Sequence, residues 1–228
     1  MLKKYKEHVD ERAKLNIPPL PLDADQTSQL VELLKSEHDE SEFLLSLFKE
    51  RIPAGVDQAA YVKAAFLADI TEGNTSSPYI KKTDAVELLG TMLGGYNIQP
   101  LIECLKNDEL ADDAVDALSK TLLIFDAFNE VFELSKTNKY AEQVIKNWAD
   151  AKWFTDKEDL QEKITLTVFK VSGEINTDDL SPAPDAWSRP DIPLHALAMF
   201  KMPRSGLSDP LEAIEKLKEK GSPLVFVG

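Results

Sequence analysis

The 228-residue sequence contains one cysteine, Cys104. A single thiol excludes an intrachain disulfide, a cysteine-rich zinc site and an iron-sulfur cluster held by three thiolates within these residues. Cys104 lies in the apolar stretch 100–105, no histidine is near it in sequence, and free cysteines are among the most buried side chains. We therefore expect a small buried hydrophobic residue and not a reactive thiol.

Positive charge and long apolar runs are also scarce. The sequence has 26 Lys and Arg residues against 40 Asp and Glu residues, a formal net charge of −14. Affinity for duplex nucleic acid depends on clustered Lys and Arg, so this charge argues against a phosphate-rich surface as the main partner. No apolar run reaches the roughly 18–20 residues of a membrane span, and Met1 is followed by charged residues instead of a signal segment. We expect a cytoplasmic protein with no membrane partner.

Hydrophobic periodicity indicates helices through about the first 150 residues. One helix is expected to begin after Asp57, as N-cap, and to end at Gly73, and another to end at Gly94–Gly95. The glycines at 90–95 lack the Gly-Lys-Ser/Thr ending of a phosphate-binding loop, so a helix terminus with a close backbone approach is favoured. Short polar turns predict antiparallel helix pairs, hence a mainly α fold with a HEAT-like α-solenoid. A compact bundle stays open as an alternative, because no strict sequence repeat is found.

The pattern changes near residue 160. The remaining segments predict, in order, an alternating strand at 164–171, an irregular proline-rich stretch at 176–193, a helix at 209–220 and a strand at 224–227. We therefore predict a helical domain at 1–158 and a partial α/β domain at 159–228. A strand of buried type at the very end of the sequence leads us to expect that the chain is cut from a longer protein.

Residues 176–191 form the one dense polar constellation that composition does not explain. Four aspartates, Ser188 and Arg189 lie among prolines that restrict the backbone. Arginine offers a planar, permanently charged fork for a carboxylate or phosphate, although Arg189 could equally pair with a neighbouring aspartate. His195, in an apolar stretch just after the loop, is expected to be a core or capping residue instead of a base.

Four segments of the sequence resemble the bacterial aconitate hydratase B family. Residues 173–198, with their Thr-Asp-Asp-Leu-Ser-Pro core, look like the start of that family's swivel domain. Three helical segments look like its N-terminal HEAT-like domain: residues 56–64, 87–98 and 148–154. The resemblance covers essentially the whole chain and implies a HEAT-like domain followed by part of an α/β swivel domain.

The resemblance implies the N-terminal portion of a lyase of the tricarboxylic acid cycle, which interconverts citrate and isocitrate through cis-aconitate on a 4Fe-4S cluster. Some family members also act on 2-methylisocitrate. It further implies that the HEAT-like domain controls access to the active site and forms a homodimer, and that the cluster-free enzyme has messenger RNA as a partner.

Carried over by residue, the resemblance assigns substrate binding to Arg189 in its Trp-Ser-Arg-Pro motif. Support of the loop is expected from Thr177, Asp178, Asp179 and Ser188. The three cluster cysteines and a Gly-Ser-Ser-Arg loop of the family lie beyond the end of this chain, and Cys104 matches none of them. We expect no catalytic or metal-binding residue within the 228 residues, and no activity from them alone. A non-enzymatic helical protein–protein interaction module is the alternative function.

Overall fold

The computed structural model of the chain describes residues 1–15, 19–121, 127–156, 161–188 and 192–228. Its contacts divide the chain into two units. The helical unit is Leu22–Glu158, and the mixed unit combines Met1–Pro21 with Asp159–Gly228. The predicted fold class, mainly α with a partial α/β part, is confirmed. The predicted division into residues 1–158 and 159–228 stays a prediction. The contacts place residues 1–21 in the same unit as the later segment.

The secondary-structure elements begin with α1 (Leu2–Lys14) in the mixed unit. The helical unit then contains α2 (Ala24–Leu34), α3 (Ser41–Glu50), α4 (Gln58–Glu72), α5 (Lys82–Gly90), α6 (Ile98–Cys104), α7 (Ala111–Ser119), α8 (Phe128–Ser135), α9 (Lys139–Ala149) and α10 (Lys152–Thr155). The chain returns to the mixed unit with β1 (Thr167–Lys170), α11 (Thr177–Leu180), a 3-10 helix (Ala183–Ser188), α12 (Ile192–Ala196), α13 (Pro210–Lys218) and β2 (Leu224–Val227).

Local signals set both ends of α4. The Asp57 side chain accepts a hydrogen bond of 2.8 Å from the backbone N–H of Ala59, which satisfies a donor that the first helical turn leaves open. Gly73 ends the helix at φ +85°, a left-handed conformation that glycine adopts without a Cβ penalty. The predicted N-cap and C-terminus of this helix are confirmed.

Contacts in the helical unit pass between helices that are near neighbours in the chain. Helix α4 packs against α2 and α5, while α7 packs against α5 and α9. The interior is mainly aliphatic, and its largest fully buried side chains include Leu30, Leu34, Phe48, Leu67, Leu89, Ile102 and Leu118. Cys104 is 4% exposed, so its predicted burial is confirmed.

Helix α5 ends at Gly90, four residues before the predicted end at Gly94–Gly95. The Thr91 hydroxyl and backbone N–H both donate to the Leu88 carbonyl, at 2.7 and 3.2 Å, and this contact tightens and ends the last turn. The predicted close backbone approach is present, because a Cβ at Gly94 would lie 2.3 Å from the carbonyl oxygen of Gly55.

The mixed unit contains a parallel two-stranded sheet. Phe169 on β1 pairs with Phe226 on β2 in a register that runs from Thr167–Leu224 to Lys170–Val227. A small core of Phe169, Val171, Phe200 and Ile214 lies against it. The predicted terminal strand is confirmed, whereas β1 is shorter than the predicted strand at 164–171, because β2 offers partners to only four of its residues. Among the described residues, no helix has both the length and the apolar character needed to cross a membrane.

Candidate functional site

The proline-rich loop of the mixed unit begins with a capped turn of helix, α11. The Asn176 side chain accepts hydrogen bonds from the backbone N–H groups of Asp178 and Asp179, at 2.9 and 3.2 Å. In return, a carboxylate oxygen of Asp179 accepts one of 2.9 Å from the backbone N–H of Asn176. This capping box satisfies three backbone donors at the start of the loop, so the sequence Asn-Thr-Asp-Asp directs its own local structure.

Arg204 and Asp179 form a bidentate ion pair. The guanidinium Nε donates to one carboxylate oxygen at 3.2 Å, and a terminal nitrogen donates to the other at 2.6 Å. The same guanidinium also donates to the backbone carbonyls of Ser172 and Glu174. The side chains of Arg204 and Asp179 are 19% and 9% exposed, so the pair is largely shielded from water.

The hydrogen bond from the Asn176 backbone lowers the pKa of Asp179 below its usual value, and Arg204 lowers it further, against an opposing effect of burial. The carboxylate is therefore ionised near neutral pH. The positive charge of Arg204 is paired with Asp179, and its other donors bind two backbone carbonyls. This arginine is therefore a structural residue.

Two further contacts join the loop to residues that follow it. Ser181 Oγ and His195 Nε2 share a hydrogen bond of 2.9 Å, and Lys201 Nζ lies 3.1 Å from both carboxylate oxygens of Asp185. The 3-10 helix at Ala183–Ser188 packs against α12. The described part of the loop is thus a braced structure with buried carboxylates.

An open depression of about 530 Å³ lies beside this braced structure. It is lined by Asn176, Asp178, Asp179, Met202, Pro203, Arg204 and Ser205. Its cation, Arg204, is already paired with Asp179, and the Asp178 side chain is exposed. Arg204 is the only cationic side chain among the lining residues, and its pairing with Asp179 leaves it poorly placed to bind an anionic ligand.

The structure brings three of the five predicted site residues into α11. Thr177 and Asp178 are exposed there, while Asp179 is buried and paired with Arg204. Ser188 is the last residue of the 3-10 helix. The predicted substrate-binding residue, Arg189, lies outside the described residues. His195 is half-buried and hydrogen-bonded to Ser181.

Two charged partners of the loop, Lys201 and Arg204, were not predicted from the sequence. Both cations follow the acidic loop in the segment Lys-Met-Pro-Arg. Their position after a loop rich in aspartate was a signal of charge pairing, but the spacing alone does not say which aspartate each one meets.

Ligands for a metal or an iron-sulfur cluster are not assembled in the described part of the chain. No group of three or more His, Cys, Asp or Glu side chains lies close enough there to hold a metal ion. Cys104 is buried in α6, and burial raises the pKa of its thiol, which disfavours the thiolate that binds iron. These residues do not fit a 4Fe-4S cluster, which is commonly held by several cysteine thiolates.

Comparison with known proteins shows strong similarity along the chain. A family model for the "Aconitate B N-terminal domain" matches residues 4–154, and one for the "Aconitate hydratase 2 N-terminus" matches residues 166–228. Proteins named aconitate hydratase B from Escherichia coli K12 and from Synechocystis are each 57% identical to the whole of this chain. The protein of that name from Helicobacter pylori is 45% identical. The chain spans about a quarter of the length of these relatives, 27%, 26% and 26% respectively.

Proposed function

Because this chain belongs to the aconitate hydratase B family, we propose that it serves as the N-terminal part of an enzyme that interconverts citrate and isocitrate through cis-aconitate. The similarity over the whole chain carries this proposal. Both family models describe N-terminal regions, and together they match the helical segment and most of the segment that follows it. The chain would then contribute some of the residues of the enzyme's active site and not all of them.

The role of Arg189 in this proposal is to bind a substrate carboxylate. Citrate, cis-aconitate and isocitrate carry three carboxylates each, and a carboxylate remote from the reacting carbons is best held by a planar, permanently charged fork. The surroundings support this role, because the buried aspartates Asp179 and Asp185 already have cationic partners in Arg204 and Lys201.

The 4Fe-4S cluster of the family would have ligands outside these residues. Within this chain, Asn176, Asp179 and Arg204 would hold the start of the loop, so that substrate binding orders fewer residues. Thr177, Asp178 and Ser188 lie in or directly beside this loop and are proposed to support it. Holding the substrate in one orientation against the reacting centre is the contribution of this portion.

The helical unit is proposed to provide an assembly surface, including homodimer contacts, and to control access to the active site. Large apolar side chains at its surface support a role in assembly, since Phe128 and Phe132 are each 44% exposed and stacked on each other. The same observation favours the alternative function, a non-enzymatic helical interaction module.

Activity on 2-methylisocitrate, messenger RNA as a partner and a cytoplasmic location stay predictions. The net charge of −14 gives RNA binding no support.

The test of the proposal is Arg189→Lys in a complete, cluster-loaded enzyme that carries this chain. Lysine keeps the charge but loses the bidentate geometry, so we expect kcat/KM for citrate and isocitrate to fall at least about tenfold, or roughly 1.4 kcal/mol. Thermal stability and cluster content should be unchanged.

The matched control is Arg51→Lys in the helical unit, where the arginine donates to the adjacent Glu50 carbonyl. It should leave kcat/KM unchanged. An Arg189→Lys enzyme with intact kcat/KM and a lower melting temperature would make Arg189 a structural ion-pair partner and would overturn the substrate assignment. If the complete wild-type protein lacks aconitate hydratase activity, the interaction module is the better proposal.

A further inference from the structure

The parallel sheet of the mixed unit has one face that is covered. Phe169 on β1 and Phe226 on β2 are paired in register, so their side chains lie on the same face. Both rings pack in the small core of this unit, which also contains Phe200 and Ile214. Phe200 follows α12 and Ile214 belongs to α13, so the chain between the two strands provides the layer that covers this face.

The opposite face of the same sheet is aliphatic and exposed to water. Because side chains alternate along a strand, Val168, Val225 and Val227 point away from the core, and we call the surface that they form the open face. Val168 is 52% exposed, Val227 is 45% exposed and Val225 is half-buried. Directly before β1, Ile164 and Leu166 are 50% and 47% exposed. The exposed aliphatic surface thus continues beyond the paired strands.

An exposed aliphatic face does not suit a parallel sheet. Parallel sheets occur almost only where both faces are covered, whereas antiparallel sheets commonly have one solvated face with polar side chains. Valines occupy three positions of the open face, so the two strands have the composition of a sheet that is covered on both sides. Contiguous exposed apolar surface of this kind marks a contact surface.

We propose that the open face binds one amphipathic helix from the part of the longer family protein that follows residue 228. The chain spans about a quarter of the length of its relatives, 26–27%, and both family models describe N-terminal regions, so the relatives contain the additional chain that this requires. This inference rests on membership of the family and is independent of any role of Arg189.

The dimensions and charge of the open face define the helix that fits it. Two neighbouring strands lie about 4.8 Å apart and present a face about as wide as one helix with its side chains, about 10 Å. The three valines require an aliphatic stripe on that helix. Lys170, which alternation places on the same face, is exposed at the carboxyl end of β1 and favours an acidic residue of the helix beside it.

The test compares the labelling of Val168→Cys by iodoacetamide in two proteins, with the site identified by mass spectrometry. In the 228-residue chain the thiol faces water and should react at a rate close to that of an unfolded chain. In a complete protein of the family's length it should react at least about a hundredfold more slowly, since labelling then requires an opening of the fold. Val227→Cys, at a second position of the open face, should behave in the same way.

The matched control is Val171→Cys, next to β1. The Val171 side chain is 4% exposed and packs in the core of the mixed unit, so this thiol should react slowly in both proteins. Carbodiimide, which joins an amine directly to a neighbouring carboxylate, identifies what covers the face. In the complete protein it should link Lys170 to an acidic residue beyond position 228, and Lys170→Arg should remove this link.

Three results would overturn the inference. Fast labelling of both Val168→Cys and Val227→Cys in the complete protein would show that the open face stays in water. Slow labelling of both in the 228-residue chain would show that these residues already cover it, either alone or, if sedimentation velocity shows a dimer, with a second copy. A carbodiimide link from Lys170 to another copy of the protein would likewise replace the proposed helix by a second copy.

Discussion

Arg204 and Asp179 are 25 positions apart in the chain and form a bidentate ion pair that is largely shielded from water. The pair connects the capped turn at the start of the proline-rich loop to the segment that precedes α13. Because Arg204 also donates to two backbone carbonyls, its side chain holds three stretches of the mixed unit together. Stability of this unit should therefore depend on one arginine more than on any exposed cation.

Arg204→Met is expected to lower the melting temperature of the chain by roughly 5 °C or more, because it leaves a buried carboxylate without its cation. Differential scanning calorimetry measures this change. The control is Lys216→Met, which removes an exposed lysine paired with Glu212 on α13 and should shift the melting temperature by no more than about 2 °C. Equal shifts for the two variants would show that the Arg204 pair has no special structural role.

The depressed pKa of Asp179 predicts a specific response to acid. The folded-state pKa lies below the unfolded value of 3.8, so the carboxylate stabilises the folded chain above pH 3.8. This stabilisation is lost as the pH falls from 3.8 through the folded-state pKa. Asp179→Asn should therefore lose less stability than the wild-type protein between about pH 5 and pH 2, as followed by urea denaturation at each pH.

The control for the acid prediction is Asp178→Asn, which removes the same charge from an exposed neighbouring side chain. It should show the same loss of stability as the wild-type protein over that range. If Asp179→Asn behaves identically to Asp178→Asn, Asp179 does not contribute to the acid sensitivity of the fold.

Gly94 is expected to tolerate no side chain. A Cβ there would lie 2.3 Å from the Gly55 carbonyl oxygen, so Gly94→Ala must push two backbone segments apart and should cost about 3 kcal/mol of unfolding free energy. The neighbouring Gly95 has open space around it but φ +87°, so Gly95→Ala should cost only about 1 kcal/mol of backbone strain. Urea denaturation distinguishes the two, and the opposite order would refute the close approach.

Cys104 is expected to be chemically inert in the folded protein, because its side chain is 4% exposed and burial raises the pKa of its thiol. An aromatic disulfide reagent should react with it at least about a hundredfold more slowly than in the unfolded chain, since reaction requires an opening of the fold. Asn129→Cys, at an exposed position of α8, provides a fast-reacting thiol as control. Equal rates for the two thiols would contradict the burial of α6.

Residues 22–158 expressed alone are expected to fold, with a helical circular dichroism spectrum and a cooperative thermal transition. The structure groups residues 1–21 with the mixed unit, so a longer piece, 1–158, should have nearly the same melting temperature. A folded 1–158 with an unfolded 22–158 would instead support the division predicted from the sequence.

Local signals in the sequence were sufficient for much of the helical unit. Asp57 and Gly73 mark the ends of α4 because a cap and a left-handed glycine act within one turn of the helix. Burial of Cys104 followed from its apolar neighbours, and the strand at 224–227 from its run of apolar residues. The family resemblance, which the comparisons confirm, lay in motifs that are contiguous in the sequence.

Tertiary structure decided what depends on residues far apart in the chain. The sequence placed aspartates in the loop, but only the fold paired Asp179 with Arg204 and Asp185 with Lys201, because a charge can meet any of several partners until the backbone brings one of them near. The length of β1 likewise depends on β2, more than fifty residues later, since a strand extends only where a partner accepts its hydrogen bonds. Sequence thus determined which groups could bind, cap or pack, and long-range contacts determined which of them meet.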